Sequence, residues 1–283
     1  MKVPLSWLKE FVDIELSVGE LARRLTLGGL EVEELRYVGL PMSPSEAEVR
    51  AGGHQRPETK VSGLGWDPDT IVVGVVMEVM PHPNADRLVL CRLEDGKREH
   101  IVLTGAPNLL PFKGKGALAK PIKVAYAREG AVIYDGHQAG WELMTLKRAK
   151  IRGVESYSMA CSEKELGISE DHEGVIFLDD DAPIGMPLVD YMGDAVLEIS
   201  IMPNTARCAS ILGVAREVAA LTGSRLKPPS YEVPWDGPPI RGRVKLGIQE
   251  PELNPRFVLG LVEGVTIACL LYTSPSPRDR TRS

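Results

Sequence analysis

The sequence predicts an α+β, multidomain chain: a small α/β module at the N-terminus, a β-barrel inserted into it, and the start of a further α/β unit. Three observations predict it. The apolar period is helix-like near the N-terminus, becomes two at Ile71, and gives way to helical signals again from Ser162. Charge divides along the same lines, since residues 71–152 hold 13 Lys and Arg against 8 Asp and Glu, whereas residues 153–200 hold one Lys against 12 acids. A hydrophobic share of 43% over 283 residues suffices for more than one core.

In order along the chain, residues 1–38 read as an amphipathic helical module. Ser17 and Glu20 form a capping box opening SVGELARRLTL, Gly28 and Gly29 stop that helix, and LEVEEL then alternates like a strand. Residues 39–70, rich in Pro, Gly and Ser, read as a linker or long surface loop. From Ile71, the runs IVVGVVMEVM, RLVLCRLEDG and EHIVLTG follow one another closely, each closed by Gly, Pro or Asp-Gly. Short strands so spaced up to Arg152 predict a small antiparallel barrel, with the OB-fold the natural candidate and a sandwich the runner-up. Further on, SEKELG is a second capping box (Ser162, Glu165) on a short helix, and EGVIFL and AVLEISIMPN read as strands. CASILGVAREVAALTG places Ile211, Leu212, Ala215, Val218 and Ala219 on one helical face that Gly223 terminates, which makes a β-loop-helix unit of a further domain. Residues 224–269 mix prolines with the strand-like RGRVKLGI and RFVLGLVEGVTI.

Several function classes lose support. No apolar run approaches the roughly 18 residues of a spanning helix, so the expectation is no membrane partner and a cytoplasmic location. Cys91, Cys161, Cys208 and Cys269 lie far apart without a CxxC pair and read as buried or idle thiols. The signatures GxxxxGK[ST], GxGxxG after a strand, HExxH and GxSxG are absent, so no catalytic residue is nominated. SEDHEG and the run Asp179, Asp180, Asp181 lack the spacing of a calcium loop and read as exposed acidic turns, so no metal ligand is nominated.

Two stretches carry the binding candidates. In PHPNADRL, Pro81 and Pro83 keep the backbone extended, Asn84 and Asp86 favour a turn, and Arg87 leaves it pointing outward. By itself the stretch is a structural loop between two strands, with His82 a hydrogen-bonded loop residue. In MTLKRAKIRG, Lys147, Arg148, Lys150 and Arg152 crowd into six residues. A charge run is usually a solvated face, but here it closes the same barrel that displays Lys113 and Lys115 flanking glycines in a loop. A shared positive surface of this kind neutralises phosphates. The only aromatic stacking candidates within the module are Phe112, Tyr126, Tyr134 and Trp141, which favours contact with the backbone or shape of a folded RNA.

HPNADRL after a VVGVVMEV strand, TGAPNL, and KIRGVES followed by MACSEKELG resemble the tRNA-binding domain shared by several RNA-binding proteins. The opening VPLSWLKEFVDIELSVGELARRLTLGGLEVEE, then EDHEGVIFL with IGMPL, then LEISIMPN with ILGVAREVAALTG resemble the N-terminal part of bacterial phenylalanine tRNA ligase beta subunits. The resemblance implies that residues 1–38 are completed by 153–198, with an OB-fold at 71–152 inserted between them. It implies that residues 199–269 are the truncated start of an editing domain. It also implies an α2β2 assembly with an alpha subunit, tRNA(Phe) as partner, and Asn84 and Arg87 presented to that tRNA. ATP and magnesium then belong to the complete enzyme, with no cofactor in these residues. Arg207 stands where the family usually has an acidic residue, and Ser158 where glycine is usual. CLLYTSPSPRDRTRS abandons the pattern, so residues 270–283 are expected to be a non-native, disordered tail. The rival function is a free-standing tRNA-binding or RNA-chaperone protein. A scaffold with a merely solvated basic face is a third.

Overall fold

The computed structural model describes residues 1–42, 59–136, 138, 140–230, 232 and 237–265, and within them the chain is mixed α+β, mostly sheet. Residues 43–58 of the expected linker, Cys269 and the expected tail at 270–283 lie outside the described residues.

β1 (Lys2–Pro4) leads into α1 (Leu5–Phe11), α2 (Val18–Leu27) and β2 (Val32–Gly39). Ser17 caps α2 as its sequence position demands, its Oγ accepting the Glu20 N–H at 3.3 Å. The Glu20 carboxylate turns to Arg23 and Arg24, at 2.7 and 2.8 Å. Gly29, at φ +91°, supplies the left-handed residue that ends the helix, so that Leu30 N–H donates to Leu25 O at 2.9 Å. α1 has no local cap. Asp194, 188 residues away, does that work by accepting the Ser6 N–H at 3.1 Å and the Ser6 hydroxyl at 2.6 Å.

Part of the expected linker is a strand. β3 (Lys60–Gly65) pairs in parallel with β2, and Trp66 behind it is buried, donating from Nε1 to Leu166 O at 3.1 Å. Its six residues KVSGLG hold only two large apolar side chains, Val61 and Leu64, too few to show a period. β13 (Asp194–Ile199), after the short α3 (Leu188–Met192), inserts antiparallel between β1 and β2, giving the order β1-β13-β2-β3. The chain therefore leaves this sheet after Gly65 and returns at Asp194.

α4 (Ile211–Thr222), in the stretch expected to begin a further domain, packs on the N-terminal module. Its Val214, Ala215 and Val218 share one core with Leu8 of α1, Leu21 and Leu25 of α2, and Leu197 of β13. The buried face is centred on Val214, while Leu212 is only half-buried. With apolar residues at 211, 212, 214 and 215, periodicity alone left the face ambiguous. Gly223 ends the helix at φ +74°, as expected.

The second sheet comprises β4 (Ile71–His82), β5 (Ala85–Glu94), β6 (Glu99–Thr104), β7 (Ala117–Ala127) and β12 (Met159–Ala160), in the antiparallel order β12-β7-β4-β5-β6. Edge strands β6 and β12 approach each other without pairing, so the ladder is not a closed barrel among the described residues. Two small hairpins stand beside it: β8 (Val132–Tyr134) with β9 (Leu143–Thr145), and β10 (Ala149–Ile151) with β11 (Val154–Ser156). β4 begins as a continuous apolar run because both of its faces are covered. Ile71 and Val73 enter one core with Trp66 and Leu188, while Val72 and Val76 enter another with Cys91, Leu93 and Tyr126. Gly74 lets Tyr126 and Leu93 close over the strand, since a Cβ there would lie 2.9 Å from the Tyr126 Cβ.

Two expected elements are shorter than their patterns suggested. The capping box of SEKELG forms, with Ser162 N–H donating to Glu165 Oε2 at 2.6 Å, but Gly167 at φ +74° closes it into a single turn rather than a helix. EGVIFL makes one isolated bridge, Phe177 to Val124, because β12 already occupies the adjoining edge of β7 at Tyr126 and Ala127. No strand forms in the described part of residues 240–265, where Leu246, Val258 and Val262 are exposed. An alternating pattern makes a strand only where a partner and a facing layer receive it.

The turn after β5 is held by buried charge. Asp95 accepts the N–H groups of Lys97 and Arg98, both at 3.0 Å, and Arg128 Nε at 2.8 Å, and lies 3.1 Å from His100 Nε2. Burial pushes its carboxyl up, but the backbone N–H groups, Arg128 and His100 outweigh burial and hold it well below the usual carboxylate range.

Candidate nucleic-acid interface

PHPNADRL is the tip of the β4–β5 hairpin. His82 pairs with Ala85 across a two-residue loop of Pro83 and Asn84, and buried His82 accepts the Asn84 N–H at its Nδ1 at 3.0 Å. The register then jumps from His82–Ala85 to Pro81–Val89, which bulges Asp86, Arg87 and Leu88 out of the ladder. Arg87 is exposed in that bulge.

The basic run folds into the β10–β11 hairpin, whose loop is Arg152 and Gly153 at φ +48° and +96°. Two successive left-handed residues make the tight hairpin turn that matches strand twist. Arg152 is the only non-glycine with positive φ among the described residues. Asn84 steadies it, donating from Nδ2 to Arg152 O at 3.3 Å. From the third motif, Lys113 Nζ donates to Asp86 O at 2.8 Å and Gly114 N–H to Val79 O at 2.8 Å, which docks the Lys113–Gly116 loop on the same hairpin. Three stretches that lie far apart in sequence thus meet: Asn84 with Arg87, Lys113 with Lys115, and Lys150 with Arg152.

Within the basic run the residues differ. Arg148 is already engaged, 3.2 Å from Glu129 and 3.6 Å from Glu155, with its guanidinium 4.8 Å from the centre of the Tyr157 ring. Glu129 dominates the rise of its pKa; burial opposes that rise, and Glu155 adds a smaller upward effect. Arg87, Lys115, Lys147, Lys150 and Arg152 are exposed and make no ion pair among the described residues. Among the candidate cations, these five are free to meet phosphate.

Sequence reasoning missed Tyr157, whose hydroxyl lies 3.4 Å from His100 Nδ1 while its ring carries Arg148. The expected module closed at Arg152, whereas the sheet runs on to Ala160. A Tyr flanked by small polar residues in SYSMACS was the available signal. Of the four aromatic candidates, Tyr126 is fully buried, Phe112 packs against the sheet's core, and Tyr134 is half-buried. Trp141 alone presents an exposed ring, set edge-on to Tyr134 at 5.0 Å. Asp180 of the acidic run pairs with Lys120 at 2.5 Å. Arg207 bonds Glu217 of α4 at 2.8 Å, and Ser158 is buried.

Among the described residues no helix is long and apolar enough to cross a membrane. The family model described as "Putative tRNA binding domain" matches residues 71–187. The phenylalanine–tRNA ligase beta subunit of Dehalococcoides mccartyi is 38% identical over 270 residues, 94% of this chain and 28% of that protein. The same subunit of Geobacter sulfurreducens is 38% identical over 279 residues, 98% of this chain and 29% of that protein. The chain therefore spans under a third of the curated relatives it matches.

Proposed function

We propose that this chain, homologous over nearly its whole length to phenylalanine–tRNA ligase beta subunits, is the part of such a subunit that binds tRNA and supports charging of tRNA(Phe). The observation that carries this reading is the pair of hydrogen bonds, Asn84 to Arg152 and Lys113 to Asp86, which gathers unpaired cations from three loops onto one face. Loops so held keep these cations near one another, and each cation that meets a phosphate displaces a counterion. The kinship reaches well beyond residues 71–187, which favours a ligase subunit over a free-standing tRNA-binding or chaperone protein.

On this reading the curled five-stranded sheet is an OB-fold inserted between residues 1–38 and the strand that returns to the first sheet at Asp194. Residues 199–269 begin the editing domain, and the working assembly is a cytoplasmic α2β2 enzyme with an alpha subunit. ATP and magnesium are assigned to that complete enzyme. Among the described residues here, no group of three or more His, Cys, Asp or Glu is gathered to hold a metal.

The test is direct binding of tRNA by the intact chain at low salt, with co-purification against an alpha subunit from the same source. Binding that weakens steeply with salt, together with a retained alpha subunit, supports the reading. Absence of both overturns it.

Two outcomes follow. Asn84→Ala should weaken tRNA binding by about 1 kcal/mol, because it removes one neutral hydrogen bond that holds the Arg152 turn. The slope of log affinity against log salt should stay the same, and a slope lowered as by loss of a cation would contradict the clamp role. The chain by itself should neither activate phenylalanine nor hydrolyse a mischarged tRNA, since it spans 28–29% of its relatives and a complete second pocket is needed for double-sieve hydrolysis. Single-turnover deacylation above the buffer rate would refute this.

A further inference from the structure

Behind the basic face lies a cleft of about 530 Å³, within the size range of small-molecule sites. Met144 of β9, Ile151 of β10 and Leu88 of the β5 bulge are among its apolar walls. Its charged and titratable lining is mostly acidic: Asp135, Glu165 and Glu173 contribute carboxylates, His172 one imidazole, and Lys147 is its only Lys or Arg. The other free cations, Arg87, Lys115, Lys150 and Arg152, are not part of its lining. Glu165 is fixed in place by the Ser162 N–H, at 2.6 Å from Oε2. Glu173 is exposed, with no ion pair among the described residues.

This distribution of charge is wrong for a phosphate and right for a base. Carboxylates lining the cleft repel an anion and accept hydrogen bonds from amino groups, while apolar walls suit the faces of a flat ring. Cations outside the cleft suit the phosphates on either side of such a ring. We propose that the cleft receives one unstacked nucleobase carrying an exocyclic amino group, with its flanking phosphates on Lys147 and Lys150. This rests on the reading of the module as RNA-binding and adds to it a base-reading site, beyond contact with backbone and shape. RNA-binding proteins that read sequence commonly do so through bases splayed out of the stack.

Amide NMR of the intact chain, titrated separately with CMP, AMP, GMP, UMP and inorganic phosphate, tests the inference. CMP, AMP and GMP should shift the amides of Ile151, Ser158 and Gly174 saturably. UMP, without an amino group, should bind about tenfold more weakly, and phosphate should leave these amides unmoved. Glu173→Gln should narrow the gap between CMP and UMP, and Ala149→Trp, at the cleft wall, should abolish both. Absence of shifts with every nucleotide, or equal shifts with phosphate, would overturn the inference. A separate titration with tRNA keeps the two claims apart. If nucleotides bind and tRNA does not, the tRNA-binding reading fails. If tRNA binds wild type and Ala149→Trp alike and no nucleotide shifts the cleft, the base site fails and the tRNA-binding reading stands.

Discussion

Asp95→Ala should destabilise the chain by about 3 kcal/mol, since it leaves Arg128 and His100 without their carboxylate and two backbone N–H groups without their acceptor. Asp95 and His100 are 1% and 2% exposed, and the carboxylate satisfies two backbone N–H groups besides Arg128. Asp95→Asn should cost less, because an amide oxygen can still accept from the backbone. The pH dependence has a definite sign. The folded carboxyl is held below its unfolded value, so its stabilisation is fully present above roughly pH 4, the ordinary carboxylate range, and is lost as pH falls further. The gap between thermal melts of wild type and Asp95→Asn, constant from pH 7 to about pH 4, should therefore begin to narrow between pH 4 and 3 and close only well below that, as pH falls through the depressed folded pKa. A gap unchanged below about pH 4 would show that Asp95 does not supply the difference.

Changing Lys147, Lys150 and Arg152 together to Gln should lower the magnitude of the salt slope of tRNA binding by roughly two to three and weaken binding at least about tenfold at low salt. These three are exposed and make no ion pair among the described residues. Arg148→Gln serves as the contrast. Its cation already faces Glu129, Glu155 and the Tyr157 ring, so its loss should change the slope little. An unchanged slope in the triple variant would return the run to a solvated face.

The legible parts of the sequence were those where local chemistry decides structure. Ser17, Gly29 and Gly223 marked their helix ends because caps need those residue types whatever the tertiary context. The β-rich stretch after Ile71 was visible from its short apolar runs and punctuation. Tertiary partners decided the rest. β3 was hidden because KVSGLG is a strand only beside β2, and SEKELG kept its cap but not its helix because Gly167 follows so soon. At the candidate site, composition named the cations but could not separate Arg148 from its neighbours, since Glu129 and Glu155 approach it only through folding. Nor could it show that the Asn84 amide is spent on Arg152.

The central claim is that tRNA lies on the face assembled from the β4–β5 tip, the Lys113–Gly116 loop and the β10–β11 hairpin. Ultraviolet crosslinking of tRNA to the intact chain, with the attached peptides identified by mass spectrometry, tests it most directly. Crosslinks should fall within residues 84–87, 113–116 and 147–157 and fade together as salt is raised. Crosslinks confined to the β1-β13-β2-β3 sheet or to the acidic stretch around Asp179–Asp181, with none in those three segments, would contradict it.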